Sequence, residues 1–221
     1  METPQGLDEA AVHELIERKY GELKHYMGWS LLYCPASVRL RARVATLGLN
    51  PGGGRDGGDW DGRRNFSDEV GNSYFVQNWS KAGEKTALQH QVAKLADLLG
   101  TSSDDLLSAN LVPFRSPSWR ELPNPVGSLE FGLSLLPWLL ESNDLRVVVL
   151  FGLRPLEAVV AKALDAPFHD KIRTGWGSTE ARFYKSDRLQ LVSLPHLSRY
   201  QIFGRDEARE LEERLRSFAA I

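Results

Sequence analysis

Apolar residues along this chain change their spacing repeatedly, and each change predicts an element. In "LDEAAVHELIERKYGELKHYM", Leu7, Ala11, Leu15 and Ile16 fall near one face of a helical period, which predicts an amphipathic helix. "RARVATLGLN" is apolar and β-branched and predicts a strand ending at Asn50. A loop of Gly, Asp and Arg then runs from Pro51 to near Gly71. "LQHQVAKLADLLG" predicts a helix stopped by Gly100. "DDLLSANLVPF" gives a short strand ending near Asn110, and Pro113, Pro117, Pro123 and Pro125 break the loop beyond it. "GSLEFGLSLLPWLLES" is apolar enough for a largely buried helix, kinked or interrupted at Pro137. "LRVVVLFG" is a continuous apolar run, as a strand covered on both faces requires. "RPLEAVVAKAL" supplies a crossover helix, "ARFYKSDRLQLVSLPH" two strands with the second ending at His196, and "RDEARELEERLRSF" a closing helix.

This alternation predicts one domain over residues 1–221, with the helical segment 7–27 packed on it. The fold class expected is α/β: a three-layer α/β/α arrangement around a mainly parallel, four-stranded central sheet. Ligands in such folds sit in the crevice at the carboxyl ends of the strands. Asn50, Asn110, Gly152 and His196 all fall at or just past those ends.

Composition narrows the classes without choosing one. The chain is 42% hydrophobic and 25% charged, which suits a globular core. Its net charge of −2 argues against strong non-specific attraction to nucleic acid, although a local basic patch is compatible with it. One cysteine, Cys34, excludes an internal disulfide framework and a Cys-rich metal cluster. No basic start precedes an apolar run, and no apolar stretch reaches about 18 residues, so neither a secretory signal nor a membrane span is expected. The expectation is an intracellular, cytoplasmic monomer, at the nucleoid in a bacterium, without membrane contact.

The strand ends carry the candidate chemistry. Asn50 stands between "LGL" and Pro51, which pushes it out of helical conformation. It is either a turn asparagine or a side chain offered to a ligand. Gly52, Gly53 and Gly54 permit close approach to the backbone and leave N–H donors open, but neither the Walker nor the Rossmann spacing is present. Asn110, in "SANLVPFRSP", donates and accepts side by side, which suits the edge of a base or, equally, loop backbone. His196, in "LVSLPHLSRY", is the one histidine at a strand's carboxyl end; His13, His25 and His90 fall on helical stretches and His169 in a loop. With no second histidine or acidic cluster beside it, no metal is expected. Ser198 lies two residues on, where side chains seldom face one another, and no Gly-x-Ser-x-Gly elbow exists, so a nucleophile pair is not expected.

Phe66, in the polar stretch "GRRNFSDEV", either stacks on a planar ligand or plugs its loop onto the domain. Arg55, Arg63, Arg64, Arg115, Arg120, Arg154 and Arg199 share the predicted rim and together can hold phosphates. Asp56, Asp59, Asp61 and Asp68 dilute that patch. Trp60, Trp79, Trp119 and Trp176 are left open between site and core.

Taken in order, "LGLNPGGG", "GRRNF", "ANLVPFRSP", "VVVLFG" and "LPHLSRY" resemble the uracil-DNA glycosylase superfamily over Arg43 to Gly204. "GLNPG" is similar to the first motif of the mismatch-specific and single-strand-selective branches, which carry asparagine where the main uracil-removing branch carries aspartate. "GRRNF" and "ANLVPFRSP" resemble the iron–sulfur branch, but its cluster-binding cysteines are absent here, so no cofactor is implied. The usual His-Pro-Ser reads His196-Leu197-Ser198, which implies a differently shaped loop against the DNA.

The resemblance implies a monofunctional glycosylase that removes uracil or a related deaminated base from single-stranded or mispaired DNA in base excision repair. Asn50 would hold the attacking water and His196 would donate to the departing base, a contact worth about 3–4 kcal/mol of barrier. Substrate would meet Asn110 at the base edge, Phe66 on its face, and Gly48, Pro51, Gly52 and Ser198 around it. Arg63, Arg64, Arg115 and Arg199 would meet the DNA, with Leu197 or Arg199 filling the gap left by the flipped nucleotide. Two other readings stay open: a non-catalytic nucleobase- or nucleic-acid-binding protein of the same fold, and a hydrolase of small nucleosides or nucleotides.

Overall fold

Four five-residue strands with every residue buried form the centre of the molecule: β2 (Val44–Gly48), β4 (Leu106–Asn110), β5 (Val147–Phe151) and β8 (Gln190–Leu194). They run parallel in the order β4-β2-β5-β8. Strands covered on both faces need apolar side chains in both directions, and these sequences supply them. The computed structural model describes residues 6–53 and 62–219. Gly54, Arg55, Asp56, Asp59, Trp60 and Asp61, singled out above, lie outside the described residues.

Around this sheet run α1 (Glu9–Glu22), β1 (Trp29–Ser30), β3 (Arg64–Asn65), α2 (Ser73–Val76), α3 (Ala87–Leu98), α4 (Pro125–Leu139), α5 (Glu157–Ala163), β6 (Phe168–Arg173), β7 (Glu180–Lys185) and α6 (Arg209–Ala219). The sheet has six strands rather than the expected four, because β7 and β6 extend it antiparallel beyond β8. No residue of β6 is buried, so the apolar run that betrays a central strand is missing there. β1 and β3 form a separate two-stranded parallel pair, too short to leave a pattern.

Alternation along the parallel strands divides two cores. Ala45, Leu47, Leu107, Ala109, Val148, Leu150 and Leu191 pack with Val12, Ile16 and Tyr20 of α1 and with Phe131, Leu135 and Trp138 of α4. Val44, Leu106, Val147, Val149, Val192 and Leu194 pack with Val92 and Leu95 of α3 and with Leu211 and Leu215 of α6. The buried seam of α1 is therefore Val12, Ile16 and Tyr20; Leu7 is exposed and the helix ends five residues before Met27. Asp8 caps α1, and a Thr86–Gln89 capping box starts α3. Pro137 lies within α4, but so close to the end at Leu139 that little helix remains for it to disturb. Among the described residues no helix is long and apolar enough to cross a membrane.

α4 approaches the chain after β4 closely. A Cβ on Gly132 would collide with the Leu111 carbonyl oxygen and stand 3.0 Å from its carbon. Alanine would gain about 1 kcal/mol as a helix former, but overpacking against rigid backbone costs about 1–3 kcal/mol. Gly132→Ala is expected to lower the unfolding free energy in a urea titration, and a gain in stability would refute this close packing.

Candidate functional site

Register brings the strand ends to one level. Gly48, the last residue of β2, pairs with Asn110 of β4 on one side and Phe151 of β5 on the other, and Phe151 pairs with Leu194 of β8. Above them opens a cleft of about 630 Å³, within the range of small-molecule sites. A larger open recess, about 810 Å³ around Leu145, His169 and Arg188, lies where β5 and β8 begin and gathers none of the strand-end groups.

Asn50 is half-buried on the cleft wall. Its Nδ2 donates to the carbonyl oxygens of Pro51 (3.2 Å) and Phe114 (3.2 Å) and to Ser116 Oγ (2.9 Å). Two of those partners only accept, so the amide has one orientation. Its Oδ1 takes no hydrogen bond from a described residue and remains an acceptor. The loop after β4 that holds it is itself zipped to β2: Leu111 N–H donates to Gly48 O, Val112 N–H to Leu49 O and Ser116 N–H to Pro51 O.

Asn110 is buried and lines the cleft floor. Its Nδ2 donates to Ser30 O at 3.0 Å, which directs Oδ1 the other way. A Cβ on Gly48 would press on that oxygen at 3.2 Å while meeting the Phe151 ring in ordinary contact at 3.5 Å. Gly48, Gly52, Asn50, Asn110, His196 and Ser198 all line this cleft, and Pro51 is buried behind it.

His196 follows β8 by two residues and leans on Gly152, whose φ of +75° already favours glycine. A Cβ at Gly152 would lie 2.5 Å from the imidazole. Ser198 N–H (3.3 Å) and Ser198 Oγ (2.7 Å) both reach His196 Nδ1. A main-chain N–H only donates, so Nδ1 is the acceptor and the neutral ring carries its proton on Nε2. The two side chains do face each other, contrary to the expectation from their spacing, because Arg199 and Tyr200 N–H both turn back to His196 O. The hydroxyl meets Nδ1, where it orients the ring. The protein crowding the ring, and then the Arg199 guanidinium, hold the His196 pKa below the usual histidine value even though the residue as a whole is exposed.

Aromatic rings that sequence reasoning did not select build one wall. Tyr33, Tyr74 and Trp79 meet at 4.9–5.6 Å between centroids, and Phe151 joins Tyr74 (6.3 Å) to His196 (6.3 Å). Trp119 and Pro117 also line the cleft, so Trp79 and Trp119 belong to the site. Burial raises the hydroxyl pKa of Tyr33, partly offset by Asn110, and raises that of Tyr74 further. Both stay protonated donors at neutral pH. Tyr33 sits outside any strand pattern, and nothing in "WSLLYCP" marks it as a site residue.

Several expected residues lie elsewhere. Phe66 packs on the α1 and α4 side, its ring 5.7 Å from Trp138 and 6.0 Å from His13, and is not part of the cleft lining. It plugs its loop onto the core because Phe66 O is drawn to Leu32 N–H beside β1. Leu197 is fully buried among the α3 and α6 core residues and cannot enter a DNA stack. Arg115 is buried in the cleft wall and donates to Gly52 O. Arg64 pairs with Glu17 at 2.7 Å and covers Tyr20. Arg154 bonds Glu180 O and lies 3.8 Å from the buried Glu157. Asp68 is bonded by Asn65 at the end of β3 and by Ser73 at the start of α2. Arg63, Arg120 and Arg199 are exposed, and Arg199 directly follows Ser198, which lines the cleft. The expected rim of cations is thus partly spent on internal pairs.

By NMR, the His196 ring is expected to titrate below the ordinary value near 6.5 and to stay in the Nε2–H form at neutral pH. Arg199→Ala should move the midpoint up; a midpoint above 6.5 in the unaltered protein would contradict this environment. No protein-family model matches the chain, and a search of curated proteins returns no relative.

Proposed function

We propose that the protein is a DNA glycosylase that hydrolyses the N-glycosidic bond of uracil or a related deaminated base. The observation that carries this reading is the pairing, across one cleft, of an amide oxygen fixed as an acceptor with an imidazole fixed as a neutral donor. They arise from β2 and β8, two strand spacings or about 10 Å apart, a gap of nucleoside dimensions. Helices packed on both faces of the sheet support the three-layer α/β/α arrangement expected from the strand–helix alternation.

In the proposed reaction Asn50 Oδ1 accepts from a water and holds it beneath the sugar. An amide is not a useful base at neutral pH, so it orients the water without deprotonating it. That suffices if the bond to the base breaks ahead of attack, leaving an oxocarbenium-like sugar. Negative charge then gathers on the departing base, and His196 Nε2–H donates to it. Ser198 keeps Nδ1 occupied, so the ring faces the substrate with the correct nitrogen. Asn110 Oδ1 reads an N–H on the base edge. Stacking passes from Phe66, which lies outside the cleft, to the ring wall of Tyr33, Tyr74, Trp79 and Phe151.

One observation favours a smaller substrate as the second reading: Arg64, Arg115 and Arg154 are bound within the protein, which weakens the field that would gather a duplex. Salt separates the two, since phosphate contacts make DNA affinity fall steeply with ionic strength.

Release of uracil from end-labelled single-stranded, U·G and U·A oligonucleotides, read as alkali-induced strand cleavage, is expected for the unaltered protein. Asn50→Ala and His196→Ala should each lose about 10²–10³-fold in rate while remaining folded. Wild-type release by either variant would remove that residue from the mechanism.

A further inference from the structure

Beyond the four parallel strands, β6 and β7 are joined by a turn that carries Trp176. Thr174 N–H donates to Thr179 O (3.0 Å), and Trp176 O accepts from Thr179 N–H (2.9 Å) and Oγ1 (2.8 Å). Gly175 has φ of +78°, and a Cβ on it would lie 2.8 Å from Glu207, so only glycine fits between this turn and the segment ahead of α6. The indole is anchored as firmly as its backbone. Its Nε1 donates to Gln201 O (3.0 Å), Tyr200 meets it edge-on at 6.2 Å, and the Arg205 guanidinium lies 4.3 Å over the ring.

For all that anchorage, Trp176 remains 38% exposed. These contacts staple the β6–β7 turn to the segment ahead of α6, with Arg205 over one ring face, and they hold the rest of a large ring rigidly at the surface. Its contacts are with the chain that leaves the cleft: Tyr200 and Gln201 continue the turn begun by His196, which lines it. Arg199 and Arg173 are exposed nearby along the same two chain segments, and Glu207, 3.4 Å from Arg205, offsets part of that positive charge. A π-face beside guanidinium groups is the chemistry that receives an unpaired base and its phosphate.

We propose that Trp176 is a stacking platform for an unpaired base next to the nucleotide held in the cleft, with Arg199 on the phosphate between them. The partner is a single-stranded stretch of nucleic acid, and the antiparallel addition to the sheet exists to carry this platform to the chain that leaves the cleft. The proposal rests on the glycosylase reading and extends it to the neighbouring nucleotide.

The test measures affinity by fluorescence anisotropy, and uracil release, for two strands of about a dozen nucleotides, within the usual single-strand site sizes: one with a central uracil between ordinary nucleotides, the other with abasic residues on both sides of that uracil. Trp176→Ala, and Trp176→Leu, which keeps apolar bulk without a π-face, should weaken the first strand about tenfold and leave the abasic-flanked strand unchanged. Trp176→Phe should restore most of the loss. Unchanged binding of the first strand, or equal weakening of both, would overturn the platform while leaving the glycosylase reading standing. If the unaltered protein neither binds nor cleaves either strand, the glycosylase reading falls and the platform with it.

Discussion

Gly48 has no side chain, and the depth of the cleft depends on that absence. Its Cα faces Asn110 Oδ1 and the Phe151 ring, contributed by the strands on either side. Because the three strands are parallel and in register, this one vacancy sits where their carboxyl ends meet. The chain leaving β2 then has to run beside the chain leaving β4, and the bonds from Leu111, Val112 and Ser116 to Gly48, Leu49 and Pro51 fasten the two together. Asn50 inherits its orientation from that zipper. On the far side His196 inherits its own from Gly152, where again a Cβ would intrude. The site is thus a property of strand register more than of any single loop.

How much of this could be read from residues alone depended on burial. The parallel strands announce themselves because a strand buried on both faces must be apolar throughout, and "VVVLF" leaves no other reading. β6, "FHDKIR", escaped because none of its residues is buried, so selection for apolar positions never wrote a pattern there. Asn50, Asn110 and His196 were legible as polar residues interrupting apolar runs at strand ends. Phe66 and Leu197 are ambiguous in the sequence for one shared reason: each is a large apolar residue in a polar neighbourhood, and only the path of the backbone tells whether such a residue turns outward or inward. Tyr33 carries no such mark and Trp79 stays open between site and core for the complementary reason, since their segments reach the cleft through tertiary contacts with α2 and β4.

The electrostatic picture follows from the same geometry. A chain of net charge −2 has few cations to spare, and several that fall near the site are bound to Glu17, Gly52 O or Glu180 O. Under the proposed reading, recognition would lean on ring faces and directed donors more than on counterion release. Such a balance suits unpaired nucleotides, whose bases are accessible, better than an intact duplex, whose outer surface is chiefly phosphate.

The cradle around Asn50 carries one more consequence. Its Nδ2 faces two main-chain carbonyl oxygens that cannot rotate away. An acid of the same shape would aim a carboxylate oxygen at those carbonyls, an arrangement that repels unless the acid takes up a proton. The backbone therefore discriminates between amide and acid before any substrate arrives. Exchanging amide for acid at position 50 asks the carboxyl to take up a proton or the carbonyls of Pro51 and Phe114 to move, so the amide is fixed by the surrounding main chain as much as by its own codon.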